Sequence, residues 1–325
     1  MKKRISLLLV AVMVLSMFSL TACGSGDEGG SADASKIRMA TGGTSGTYYA
    51  YGGAVAQVLG EAVEGLTFDV QSTGASLANI RLVANGDVDM AIVQNDVMDY
   101  AFNGTNLFEG DAVEGFSSMA ACYAEVCQLI VAADSGINSV ADLKGKRVSI
   151  GDAGSGVEFN ARQILEAYGL TTDDITVQNL GFGDSADAVK DGKIDAFFCT
   201  AGAPTTAVME LSTTKGIKVI EIAGAEAEKL MKDHAFYTSY VIPADTYSGQ
   251  TADVTTVAVK ATFIVSDNLS EDTVYNMTKA LFEGKDAITA ANAKGSELDT
   301  AYAVDGVSVP FHPGAQKYFK EVGAM

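Results

Sequence analysis

The chain has 325 residues, with 22 Lys and Arg against 41 Asp and Glu, a formal net charge of −19 at pH 7. A field of that sign repels nucleic acid and anionic lipid headgroups, so neither is expected as a partner. It leaves room for an anionic small ligand, because local backbone dipoles outweigh a screened global charge.

At the start of the chain, Lys2, Lys3 and Arg4 precede an apolar run from Ile5 to Leu20 and then Leu20-Thr21-Ala22-Cys23-Gly24. That order predicts a secretory signal over residues 1–23, and the run is short for a membrane span of ~20 apolar residues. Its end resembles a bacterial lipobox, which implies that Cys23 is lipidated and holds the protein at the outer face of the cell membrane. Residues 24–35, rich in Gly, Ser and acidic side chains, read as a flexible tether.

The remaining chain contains one unit twice. Ile37 to Ala40 is a strand, Thr41 to Gly46 a Gly-rich turn, and about Tyr48 to Ala62 an amphipathic helix. Arg147 to Ile150, Gly151 to Gly156 and about Val157 to Tyr168 repeat that order. Thr67 to Gly74 and Ile175 to Gly181 are then strands running into Gly-containing loops. Short helices follow, with Ser76 and Ser185 expected as their N-caps. Strands headed by Asp89 and Asp195 close the two units. This is parallel α/β grammar, and it predicts two lobes of similar build or one continuous doubly wound sheet. Ligands of such sheets sit at the carboxyl ends of strands.

Both Gly-rich turns lie at strand carboxyl ends. In Thr44, Ser45, Gly46, Thr47 and Tyr48, and again in Gly154, Ser155 and Gly156, glycines admit a ligand to the backbone. The helix start supplies unpaired N–H groups and a positive dipole end. A carboxylate is the expected guest. Gln94 and Asn95 follow another strand and are expected on the floor of the site, beside Ser76. Asp96 is read either as a polar site group or as a cap of the next helix.

Catalytic signatures are missing, so no enzyme is expected. There is no Gly-x-Ser-x-Gly elbow and no phosphate loop. The carboxylate pairs Asp87/Asp89 and Asp173/Asp174 sit at turns and read as solvated. Cys122, Cys127 and Cys199 are expected as free, mostly buried thiols, and His234 and His312 as structural residues. No metal or cofactor is expected.

The runs Thr44-Ser45-Gly46-Thr47-Tyr48-Tyr49 and Ser72-Thr73-Gly74-Ala75-Ser76-Leu77-Ala78-Asn79-Ile80 resemble the TAXI-type solute receptors of TRAP transporters. Ala91 to Asp96, Gly154-Ser155-Gly156, Ile242 to Tyr247 and His312-Pro313-Gly314-Ala315 continue the likeness. The resemblance implies an α/β, two-lobed periplasmic-binding-protein fold with a cleft between lobes joined by hinge strands. It also implies a glutamate- or 2-oxoglutarate-like ligand and TRAP membrane subunits as partners. Alternatives are the receptor of an ABC importer, a ligand-sensing receptor, or, further off, a secreted α/β hydrolase. Other TRAP receptors hold the carboxylate with an arginine; here Arg81, Arg147 and Arg162 are nearest the turns in sequence and are expected to be structural. The expected lobes are residues 36–125 with 256–325, and residues 126–255. The expected hinge strands lie near 123–126 and 255–259, and the expected C-terminal helices near 271–293 and 314–322.

Overall fold

The computed structural model describes residues 36–325, so the signal, the tether and Cys23 lie outside the described residues. The first unit is β1 (Lys36–Ala40), α1 (Thr47–Ala62), β2 (Thr67–Gln71), α2 (Ser76–Ala84), β3 (Met90–Gln94) and α3 (Asn95–Asn103). The long strand β4 (Phe116–Ala132) leads out of it. The second unit is β5 (Arg147–Ser149), α4 (Gly156–Ala167), β6 (Thr176–Gln178), α5 (Phe182–Lys190), β7 (Ala196–Ala201) and α6 (Thr206–Thr214). It continues through β8 (Ile217–Ile220), α7 (Gly224–Asp233) and β9 (Thr238–Ile242). A second long strand, β10 (Val254–Ser266), returns to the first unit, where α8 (Glu271–Glu283), α9 (Lys285–Ala291), α10 (Thr300–Val304) and α11 (Pro313–Glu321) complete the chain.

The internal repeat holds down to single hydrogen bonds. In the first unit β1 pairs in parallel with β2 and β3, and in the second β5 pairs in parallel with β6 and β7. In the middle of β1, Arg38 donates its backbone N–H and Nε to Asp89 Oδ2 and its Nη2 to Oδ1. At the start of β5, Arg147 makes the same three bonds to Asp195. Asp89 is therefore a clamp between neighbouring strands rather than a solvated turn residue. Burial works against its ionisation, but the hydrogen bonds and charge of Arg38 win and hold its carboxyl below the ordinary range. Asp89→Asn keeps the shape and removes the charge. It is expected to lower the unfolding free energy in urea by about 1–2 kcal/mol, and Asp195→Asn by under about 1 kcal/mol, because bidentate pairs weaken as water reaches them. The Asp89 side chain is 16% exposed and that of Asp195 30%. A larger loss at Asp195 would contradict this ranking.

Hydrogen bonding joins the described strands in one ten-stranded sheet, with the path β2-β1-β3-β10-β4-β7-β5-β6. The two units are thus two lobes on a shared sheet. β10 and β4 run antiparallel through its middle, with Val259 opposite Glu125 and Ala258 opposite Val126. β10 pairs with β9 over Val254–Ala258 and with β3 over Ala261–Val265. β4 pairs with β10 up to Val126 and with β7 from there on.

Each lobe has its own core. In the first, Ile37, Met39 and Ile92 pack with Val55 and Leu59 of α1, and with Met277, Leu281 and Phe319 of the C-terminal helices. In the second, Val148, Ile150 and Phe198 pack with Ile164 and Leu165 of α4. Cys122, Cys127 and Cys199 are buried free thiols that fall in three different clusters. His312 caps α11, its ring accepting from the Gly314 N–H.

Three local expectations are corrected. Ser76 is the first residue of α2, behind Ala75, and its Oγ instead accepts from the Gln94 N–H at the end of β3. Ser185 lies inside α5 and bonds to Ser149 of β5. Both serines are buried, so they serve the strand ends beneath them rather than the helix start. The helix expected over 271–293 breaks at Gly284, where a Cβ would stand 2.4 Å from Val58 Cγ1 and 2.8 Å from the Ala280 carbonyl. Among the described residues no helix is long and apolar enough to cross a membrane.

Candidate ligand-binding site

The repeat brings the N-termini of four helices around one cavity of about 80 Å³. Gly46, Thr47 and Tyr48 are the cap and first turn of α1; Ala75 and Ser76 begin α2. Across from them, Ser155, Gly156 and Val157 begin α4, and Gly181 and Phe182 begin α5. The caps of α1, α2 and α5 use no side-chain oxygen, which leaves first-turn N–H groups for a guest. Each helix also contributes a partial positive charge of about half a unit.

Local hydrogen bonds hold these turns. Asn79 of α2 donates to the carbonyls of Thr41 and Ile92 and accepts from Thr73, tying the loops after β1 and β2 to strand β3. Asn179 donates to the Gly151 carbonyl in the second lobe. Ser155 Oγ accepts from the Glu158 N–H and caps α4.

The lobes touch at several points beside the cavity. Thr47 Oγ1 donates to the Gly202 carbonyl at 3.1 Å, and Ser45 Oγ accepts from the Gly183 N–H at 3.1 Å. The Leu77 N–H donates to the Gly154 carbonyl at 3.2 Å. Behind the cavity, Asn160 of α4 donates to Asp96 Oδ2 of α3, and Gln163 donates to the Tyr100 hydroxyl. Phe159 of α4 stacks on Tyr100 and Phe108 of the first lobe. The two lobes are therefore in direct contact around the cavity, through polar and apolar groups alike.

Of the residues singled out in the sequence, Ser45, Gly46, Thr47, Tyr48, Ser76, Gln94, Ser155 and Gly156 line the cavity. Thr44 is exposed outside it. Asn95 is buried, but its Oδ1 accepts from the Lys260 N–H, so it fastens α3 to β10 instead of reaching a guest. Gly154 sits on the rim, with its N–H given to Glu158 and its carbonyl to Leu77. Asp96 lies one residue inside α3, behind Asn95, and its carboxyl faces first-turn backbone N–H groups of its own helix. It reaches the facing lobe, and burial raises its carboxyl to about 7. Arg81, Arg147 and Arg162 are paired with Asp111, Asp195 and Glu158, and no Lys or Arg lines the cavity.

Sequence reasoning missed the cavity's two carboxylates, its aromatic wall and its far end. Glu125 of β4 faces the cavity, accepts from the Tyr48 hydroxyl at 2.9 Å and also meets the Gln94 side chain. Burial lifts its carboxyl to about 8, against those two donors and with some help from Asp96. Asp152 also lines the cavity, raised by partial burial and by nearby Asp184. Phe182 and Gly181 are the second-lobe counterparts of the Ala75–Ser76 turn, and Thr200 and Ala201 end β7 as Gln94 ends β3. Extending the repeat by one more loop would have found them. Glu125 carried no such signal inside an apolar strand. Among the described residues no cluster of His, Cys, Asp and Glu could hold a metal ion.

Comparison with known proteins gives a consistent picture. The model of the NMT1-like family matches residues 39–323. The fold resembles a periplasmic transporter protein at TM-score 0.54 and 15% identity, over 89% of this chain and 92% of that one. It resembles the alkanesulfonate-binding protein SsuA of Xanthomonas axonopodis pv. citri, bound to MOPS, at TM-score 0.51 and 14% identity, over 89% and 84% of the chains. It also resembles the substrate-binding protein of an amino acid ABC transporter at TM-score 0.50 and 14% identity, over 81% and 100%. At these identities the likeness is one of fold, and the fold is the two-lobed α/β architecture of periplasmic binding proteins.

Proposed function

The chain belongs to the NMT1-like family, and from that premise we propose that it is an extracytoplasmic solute receptor, not an enzyme, that closes on a small organic acid and hands it to a membrane importer. The observation that carries this reading is the convergence of four helix N-termini from two lobes on one cavity without a lysine or arginine. Backbone N–H groups and dipoles of that kind suit a carboxylate or similar anionic group. The cavity's 80 Å³ suits a guest of modest size, since one water takes about 10–15 Å³ on the same scale. Contacts made to the cavity by both lobes are what closure around a ligand produces.

An ABC-type importer is the favoured recipient, because the resembling structures include receptors of such systems. The Thr44–Tyr49 and Ser72–Ile80 runs favour TRAP membrane subunits as the second reading. Neighbouring genes separate the two: an ATPase with a permease, or a large multi-span membrane protein. Attachment to the outer face of the cell membrane through Cys23 rests on Lys2 to Gly24.

Capture itself is tested by a thermal-shift panel of amino acids, oxo acids and sulfonates on protein stripped of co-purified ligand. A solute at a hundred times its dissociation constant adds about 2.7 kcal/mol of stability. A rise of several degrees with a small acid is the expected result, and a flat response across the panel counts against the reading.

A further inference from the structure

Resting on that reading of the cavity, we propose that Glu125 and Gln94 form a subsite for a primary ammonium group, so that the solute is a zwitterionic amino acid and not the 2-oxo acid of the same skeleton. Glu125 is 1% exposed and Gln94 2% exposed, and both line the cavity. Gln94 Oε1 has no hydrogen-bond partner. A buried acceptor left open costs stability unless a guest supplies the donor. The carboxyl beside it already takes a bond from the Tyr48 hydroxyl and keeps lone pairs to spare. No protein cation lines the cavity to neutralise it. An ammonium group brings three donors and a positive charge to these two acceptors. A 2-oxo group brings one more acceptor and leaves Gln94 Oε1 unsatisfied. The helix N-termini remain for the anionic end of the same molecule.

Binding then exchanges one proton. In the closed protein without ligand, burial keeps the Glu125 carboxyl protonated up to about 8. The titratable groups around it are Tyr48 of α1, Asp96 of α3, Tyr123 and Cys127 of its own strand, Cys199 of β7 and Tyr302 of α10. Burial keeps the tyrosines and cysteines protonated. When the ammonium group arrives, the carboxyl O–H breaks, its proton leaves to solvent, and the carboxylate accepts an N–H of the ligand. An oxo acid gives no such exchange.

The test is calorimetry with L-glutamate, L-alanine and L-leucine, each against its 2-oxo acid. It is run at about pH 6.5 in two buffers of different ionisation enthalpy, on the wild type and on Glu125→Gln, whose fold is checked by circular dichroism. The expected result is an amino acid bound about 100-fold or more tightly than its oxo partner, because a site built around a hydrogen-bonding group rejects the analogue lacking it. About one proton should be released per ligand at that pH, as linkage requires. Glu125→Gln should shrink the preference below about 10-fold and abolish the release. Equal or tighter binding of the oxo acid, or no proton release by the wild type, overturns the inference and leaves solute capture standing. Binding of none of the six overturns the inference, and overturns solute capture as well only if the wider thermal-shift panel is also flat. Should Glu125→Gln fail to fold, the wild-type preference and proton count decide alone.

Discussion

Gly156→Ala is expected to weaken solute binding by about 100-fold or more while leaving each lobe folded, since apparent affinity falls with the fraction of protein able to close. Gly156 opens α4 on the second lobe, and a Cβ there would stand 2.1 Å from Gln94 Oε1 and 2.2 Å from Gln94 Cδ on the first. Gln94 is 2% exposed and cannot swing away into solvent. Within its own helix the substitution is harmless, because alanine is a better helix former than glycine by up to about 1 kcal/mol. The clash therefore exists only when the lobes meet. Calorimetry gives the affinity loss, and urea unfolding of the ligand-free protein shows whether the fold is kept. Gln94→Ala removes a proposed ligand contact but makes room for the new methyl group, so the two losses should be less than additive, a coupling that a double-mutant cycle isolates. Unchanged binding in Gly156→Ala would mean that the lobes do not close in this way around the solute.

Acidity should stabilise the closed protein. Burial raises Asp96 to about 7 and Glu125 to about 8, while in the unfolded chain both titrate near the ordinary carboxylate range. A raised acid makes the folded state the better proton binder, so its contribution is full below the unfolded pKa and is lost as pH rises through the folded one. His234 and His312 are held below the ordinary imidazole value by burial, and they push the other way up to 6.5. The clamped carboxylates, Asp89 and Asp195 among them, lose their contribution only in strong acid. Between about pH 6.5 and 8 the two buried acids act alone, and stability is expected to fall by about 2 kcal/mol. Urea titrations at the two pH values measure it. Glu125→Gln should remove most of the slope and Asp96→Asn the rest. A stability that climbs across this window would contradict the burial of both groups.

The sequence made much of this architecture legible because the chain uses one device twice. A strand, a Gly-rich turn and a helix recur after residues 36 and 147, and the Arg38–Asp89 and Arg147–Asp195 clamps show how deep the likeness runs. A turn that must admit a ligand to its backbone advertises itself through glycine and serine. The cavity's floor does not. Glu125 stands in a strand whose other residues are mostly apolar and buried, and its meaning comes from Tyr48, 77 residues away in the chain. Asn95 misleads for the converse reason. It has the chemistry of a site residue at a strand's carboxyl end, yet its amide is spent on the backbone of β10. Which of two neighbouring amides, Gln94 or Asn95, faces the ligand depends on how α3 leaves the strand, and local pattern does not encode that.

The most direct measurement is a crystal structure of the protein with the solute that raises its melting temperature most. The solute is expected between the lobes, its anionic group within hydrogen-bond reach of N–H groups at the starts of α1, α2, α4 and α5, and Glu125 and Gln94 beneath it. A solute bound elsewhere, or held by one lobe only, would contradict this placement.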